Sequence, residues 1–139
     1  MGLLASRKNS RTRALQAGIL LEADDRSLLV DAGNGVFQRL AQLSRPAETI
    51  DTILLTHLHL DHVADLSSII KARLLDDQPE FTIVGPPGTE ATLRQLLAID
   101  DLWDRATLEV TEIEPGTHTI AGFDVTAVKT DHSAYCLAN

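Results

Sequence analysis

The sequence predicts an α/β layer architecture, and three observations carry that reading. Short apolar runs of strand length alternate with segments whose apolar residues recur at helical spacing. The 139 residues suffice for one domain with a substantial core. No internal repeat, linker or low-complexity stretch marks a second domain.

The elements follow in chain order. "AGILLE" and "SLLVD" flank "ADDR" and read as a strand hairpin. "DAGNG" supplies a tight turn through Gly33 and Gly35, and "VFQRLAQL" carries Val36, Leu40 and Leu43 at helical spacing. "IDTILLT" is an apolar strand ending on a cluster of histidines. "VADLSSIIKARLL" aligns Val63, Leu66, Ile69, Ile70 and Leu74 on one helical face until "DDQPE" stops it. "FTIVG" reads as a buried strand, "PPGT" as a turn, and "EATLRQLLAI" as a helix. "ATLEVTEIE", "HTIAG" and "FDVTAVKT" read as strands joined by turns at Pro115-Gly116 and Gly122. The order is β-β-α-β-α-β-α-β-β-β, with residues 1–16 expected as a loose basic arm.

Composition excludes some functions. Net charge is −8, and Arg7, Lys8, Arg11 and Arg13 all precede the first acid, Glu22. The rest of the chain is strongly acidic and offers no electrostatic footprint for nonspecific nucleic-acid binding. No apolar run approaches the roughly 20 residues that span a bilayer, so no membrane partner is expected. The N-terminus lacks the apolar core and cleavage site of a secretory signal. The single cysteine, Cys136, rules out an internal disulfide, reads as a small core residue, and agrees with a reducing, cytoplasmic setting.

The chemistry concentrates in "THLHLDH", Thr56 to His62, which holds three of the chain's five histidines. His57 and His59 are two apart, so in extended chain their side chains fall on the same side and can grip one divalent ion. Asp61 and His62 follow as the backbone turns into a helix and can serve a second ion. Imidazole with carboxylate suits Zn²⁺, with Mn²⁺ or Fe as alternatives. Any one of these histidines alone would read as a core residue. Three with an aspartate at the polar end of an apolar strand are costly to bury without a ligand. Elsewhere His118 reads as an exposed polar residue, Asp124 as solvated, and Trp103 as local packing. "GPPGT" lacks the ending of a P-loop and reads as a strand-to-helix turn.

At these residues the chain resembles the metallo-β-lactamase superfamily, whose members are mostly binuclear metal hydrolases. "HLHLDH" matches its H-x-H-x-D-H motif. "LLVDAGNGVFQRL" is similar to the D-x-G-x-G segment, which gives Asp31 the role of buttressing the metal loop. "IVGPPGTEATLRQLL" looks like the G-P-x-G segment of the ribonuclease Z-like branch, and "VKTDHSAY" resembles the segment supplying a further ligand, His132. The chain departs from D-H-x-x-G-L at Ala64-Asp65, and Asn34 stands where many members carry an acid.

The resemblance implies an αββα sandwich with about half of the full domain present, so that 1–139 forms a single partial domain. It implies that the opening strand precedes Met1 and that a bridging aspartate and a last histidine lie beyond Asn139. It implies two zinc ions sharing a bridging hydroxide, with His57, His59 and His132 on the first ion and Asp61 and His62 on the second. Asp61 doubles as proton acceptor, and Thr56 hydrogen-bonds within the loop. The expected substrate is a phosphodiester, as a small molecule or a nucleic acid. The alternative is a non-catalytic half-domain that binds at most one metal and pairs through an exposed apolar face, as a homodimer or with a partner chain.

Overall fold

The computed structural model describes residues 2–6, 10–15 and 17–129. His132 and Cys136 lie outside the described residues. Among the described residues, nine strands run β1 (Gly2–Ser6), β2 (Arg11–Leu15), β3 (Gly18–Ala23), β4 (Arg26–Val30), β5 (Thr52–Leu54), β6 (Glu80–Gly85), β7 (Thr107–Glu112), β8 (Gly116–Ile120) and β9 (Phe123–Val128). The helices are α1 (Val36–Gln42), α2 (Leu60–Val63), α3 (Leu66–Leu75), α4 (Thr89–Leu96) and α5 (Leu102–Arg105).

Six strands form one sheet in the order β2-β3-β4-β5-β6-β7, and β1-β9-β8 form a second. The β2-β3-β4 meander is antiparallel, whereas β4, β5, β6 and β7 pair in parallel through helical crossovers. The alternation of side chains along each central strand explains why these runs are apolar throughout. Leu20, Leu29, Ile53 and Ile83 point to one face, where they pack against Val36, Leu40, Ile69, Ile70 and Leu93 of the helices. Leu21, Leu28, Leu54 and Val84 point to the other, against Ile120, Phe123, Val125 and Ala127 of the second sheet. The layers are therefore helix, sheet, sheet. Burial of each such side chain contributes about 1.5–3 kcal/mol.

Three expectations from the sequence are corrected. The described residues 2–6 and 10–15 are not simply a loose arm. Gly2–Ser6 pairs with β9 and Arg11–Leu15 pairs with β3, so an opening strand is present. The 63–75 helix is in fact two helices. Asp65 leaves helical geometry (φ −93°, ψ 3°), because its N–H donates to the Ala32 carbonyl rather than continuing the α2 ladder. The outer face of the second sheet also differs from a large apolar surface, since Thr117, Thr119 and Asp124 are exposed there beside Val128. No helix among the described residues is long and apolar enough to cross a membrane.

Candidate metal centre

The site forms where β4 and β5 end side by side. Val30 pairs with Leu54, so the next residues of each strand, Asp31 and those leading to Thr56, leave the sheet together at its carboxyl edge. The Asp31 N–H donates to the Leu54 carbonyl (2.9 Å) and thereby fixes this junction.

Thr56 is completely buried and Asp31 nearly so. Buried polar groups require partners, and these two satisfy each other. The Thr56 N–H donates to Asp31 Oδ1 (2.8 Å), and its hydroxyl donates to Oδ2 (2.6 Å). His62 Nδ1 lies 2.8 Å from the same Oδ2. A neutral His62 ring thus carries its proton on Nδ1, facing the carboxylate, and its lone pair on Nε2. Asp31 itself sits at φ 63°, in the left-handed region that aspartate enters more readily than most L residues.

Beyond Thr56 the three imidazoles stack together. His57 and His62 centroids are 3.6 Å apart, tilted by 49°, and His57 and His59 centroids are 4.7 Å apart, edge to face. Burial, followed by the neighbouring His62 and His59, lowers the His57 pKa below its ordinary value, against the opposing pull of Asp31 and Asp61. A neutral imidazole keeps its lone pair available. His57, His59 and Asp61 each offer one ligand atom, all within 4.8 Å of one another. Two imidazole nitrogens and a carboxylate oxygen converging at a strand end fit a divalent metal ion. His62 stands beside this trio, its Nε2 3.5 Å from Asp61 Oδ2.

The metal loop leans on the "DAGNG" turn. A Cβ on Gly33 would lie 1.9 Å from the Asp61 carbonyl oxygen and 2.5 Å from Ala17 Cβ, so glycine is required by space alone. The Ala32 N–H donates to the His62 carbonyl (2.8 Å), and the Asp65 N–H returns to the Ala32 carbonyl (2.9 Å). The sequence does not mark Asp65 as a site residue. Its Oδ2 accepts the N–H groups of Gly35 (2.9 Å) and Phe37 (3.0 Å), which cap α1. The signals available are its departure from the family motif and its place within an apolar helical run, and neither points to α1.

The other residues considered from sequence stand apart from this cluster. His118 is half-buried, with Nε2 2.8 Å from the Glu114 carbonyl oxygen in the β7–β8 turn. Asp124 is exposed, and Trp103 packs against the helix-side core with the Arg94 guanidinium 4.5 Å from its ring. The amides opening α4 are taken by the chain's own Glu112, which accepts from Gly88 and Glu90 (both 3.1 Å). A cavity of about 640 Å³ opens at the opposite, N-terminal end of the strands, beside Arg26, Arg45, Asp51 and Arg73.

Residues 26–137 match the family model described as Beta-lactamase superfamily domain. The chain belongs to the metallo-β-lactamase superfamily. Within it the likeness is to the ribonuclease Z branch. Ribonuclease Z of Mycolicibacterium gilvum (strain PYR-GCK) is 35% identical over 132 residues, covering 81% of this chain and 46% of the relative. The metallo-β-lactamase fold protein YhfI of Bacillus subtilis superposes with a TM-score of 0.69 at 28% identity, over 86% of this chain and 47% of its own. Human tRNase Z, short form, gives a TM-score of 0.60 at 25% identity, over 81% and 44%. The chain spans about half the length of these superfamily relatives.

Proposed function

We propose that this chain is the metal-binding part of a binuclear, metal-dependent hydrolase of the ribonuclease Z type, acting on phosphodiesters. The observation that carries the reading is the convergence of His57, His59 and Asp61 beside a His62 whose Nδ1 is engaged by Asp31. His57 and His59, with His132, hold the first ion, and Asp61 and His62 contribute to a second. Zinc fits this donor set best, with Mn²⁺ or Fe as alternatives. When bound, the metal supplies Lewis acidity and acidifies water near neutral pH for attack on phosphorus.

The chain's own residues do the positioning. Asp31 holds the His62 ring in one orientation, a contribution typically reflected in metal affinity by a factor of 10–100. Thr56 anchors the Asp31 carboxylate from below. The Asp61 side chain is 76% exposed, which leaves its carboxylate free to reach substrate and to accept a proton. The single Cys136 fits a cytoplasmic setting, and residues 1–139 are read as one partial domain.

The test is hydrolysis of bis(p-nitrophenyl) phosphate by the protein with and without Zn²⁺ or Mn²⁺. Metal-dependent turnover that disappears in His59→Ala is expected. A folded, metal-loaded protein without turnover would instead favour the non-catalytic half-domain.

A further inference from the structure

The departure from the family motif at Asp65 has a structural consequence. The sequence has an aspartate where D-H-x-x-G-L has glycine, and that aspartate reaches across to a separate loop. Four hydrogen bonds join two segments 30 residues apart in sequence. Ala32 N–H donates to the His62 carbonyl and Asp65 N–H to the Ala32 carbonyl, while Asp65 Oδ2 accepts from Gly35 N–H and Phe37 N–H. These bonds close a ring between the segment 32–37 and the segment 62–65. Inside that ring Gly33 lies so close to the Asp61 backbone that no side chain fits between them.

The ring matters for the metal centre because both of its arms carry site residues. Asp31 precedes Ala32 directly, and its carboxylate meets His62 Nδ1. Asp61 and His62 begin the other arm. The main-chain bonds hold the two arms together at Ala32, beside the Asp31–His62 contact. The Asp65 carboxylate adds a second point of attachment through two charge-assisted bonds to amides that would otherwise lack partners at the start of α1. This attachment lies at the α1 end of the turn, away from the Ala32 bonds, and so ties the far end of that segment to the same start of α3.

Resting on the metal-site reading above, we propose that Asp65 is a positioning residue for the metal centre. It clamps the Gly33–Phe37 turn to the start of α3, and so sets the placement of Asp31 against His62. Asp65 does not act as a ligand in this account, since Oδ2 is committed to two amides and the residue stands outside the converging trio.

A matched control exists in the same protein. Glu112 caps α4 from a neighbouring strand with the same pair of amide bonds, yet none of its partners belongs to the metal loop. The experiment compares wild type, Asp65→Ala, Asp65→Asn and Glu112→Ala for Zn²⁺ affinity, by competition with a chromophoric chelator, and for the visible absorption spectrum of the Co²⁺-loaded protein. Thermal melting is recorded alongside. Asp65→Ala is expected to weaken Zn²⁺ binding roughly tenfold or more and to change the Co²⁺ bands. Asp65→Asn retains an acceptor oxygen and is expected within a few-fold of wild type, which keeps the test decisive if the alanine variant does not fold. Glu112→Ala is expected to lower the melting temperature while leaving affinity and spectrum unchanged. Wild-type affinity and spectrum in Asp65→Ala would overturn the proposal, as would an equal loss of affinity in Glu112→Ala. Failure of the wild type to bind either metal would overturn the metal-site reading itself, and the role of Asp65 with it.

Discussion

His62 Nδ1 lies 2.8 Å from Asp31 Oδ2, a contact between residues 31 apart in sequence that joins the ends of two adjacent strands. The same carboxylate accepts both the N–H and the hydroxyl of the buried Thr56. One side chain therefore serves fold and site together. Removing it as Asp31→Ala leaves the Thr56 donors buried without an acceptor, at a cost of about 3 kcal/mol in urea denaturation. Zinc affinity should fall together with stability, by 10- to 100-fold. A variant with unchanged unfolding midpoint would show that water replaces the carboxylate without loss.

Gly33 gives a steric test. A methyl group there meets the Asp61 carbonyl oxygen at 1.9 Å and Ala17 Cβ at 2.5 Å, a backbone atom and a methyl fixed directly to the backbone, neither of which can swing aside. Gly33→Ala should destabilise the protein by about 1–3 kcal/mol and displace the metal loop, seen as altered amide shifts at Asp61 and His62. Wild-type melting and unshifted amides would contradict the close approach.

The pH dependence follows from His57. Its pKa is lowered from 6.5, first by burial and then by His62 and His59. A histidine whose folded-state pKa is depressed binds fewer protons folded than unfolded, so stability rises with pH across the interval between the two values. The contribution is complete above pH 6.5 and is lost as pH falls through the lower, folded-state value. NMR titration of the metal-free protein should give a His57 midpoint below 6.5. A midpoint at or above that value would contradict the burial and imidazole stacking described for it.

Arg73 tests the independence of the two ends of the sheet. Its guanidinium donates to the Glu48 carbonyl (2.6 Å) and twice to the Glu80 carbonyl (2.8 and 3.2 Å), and lies 5.6 Å from the Phe81 ring centre. Arg73→Ala should cost about 1–3 kcal/mol of stability by removing the three hydrogen bonds and the packing of a buried guanidinium. Zinc affinity should be unchanged, because these contacts lie at the N-terminal ends of β5 and β6. Calorimetric zinc titration of a variant with a lowered urea midpoint checks both statements, and an accompanying loss of zinc affinity would contradict the separation.

Much of this was legible in the sequence for particular reasons. Leu28-Leu29, Ile53-Leu54 and Ile83-Val84 are apolar at consecutive positions because each strand is covered on both faces, and such runs announce a central sheet. His57, His59, Asp61 and His62 were legible because so much ionisable chemistry at a strand end has few structural explanations. Asp31 was reached only through the resemblance, since a lone aspartate before a glycine turn carries no local mark of a partner 25 residues away. Asp65 was not reached, because the loop it caps is remote in sequence. The break between α2 and α3 was hidden because Val63, Leu66, Ile69 and Ile70 keep helical spacing across it. The strands at residues 2–6 and 11–15 were missed because Arg7, Lys8, Arg11 and Arg13 resemble a solvated tail, whereas Arg13 pairs with Glu22 of β3 at 3.2 Å.

The central claim is that the cluster of His57, His59, Asp61 and His62 binds divalent metal. Isothermal titration of zinc into the chelator-stripped protein, beside the His57→Ala/His59→Ala double variant, tests it most directly. The account predicts tight zinc binding by the wild type and its loss in the double variant, with both proteins folded. Equal zinc binding by the two, or a folded wild type that takes up no zinc, would contradict it.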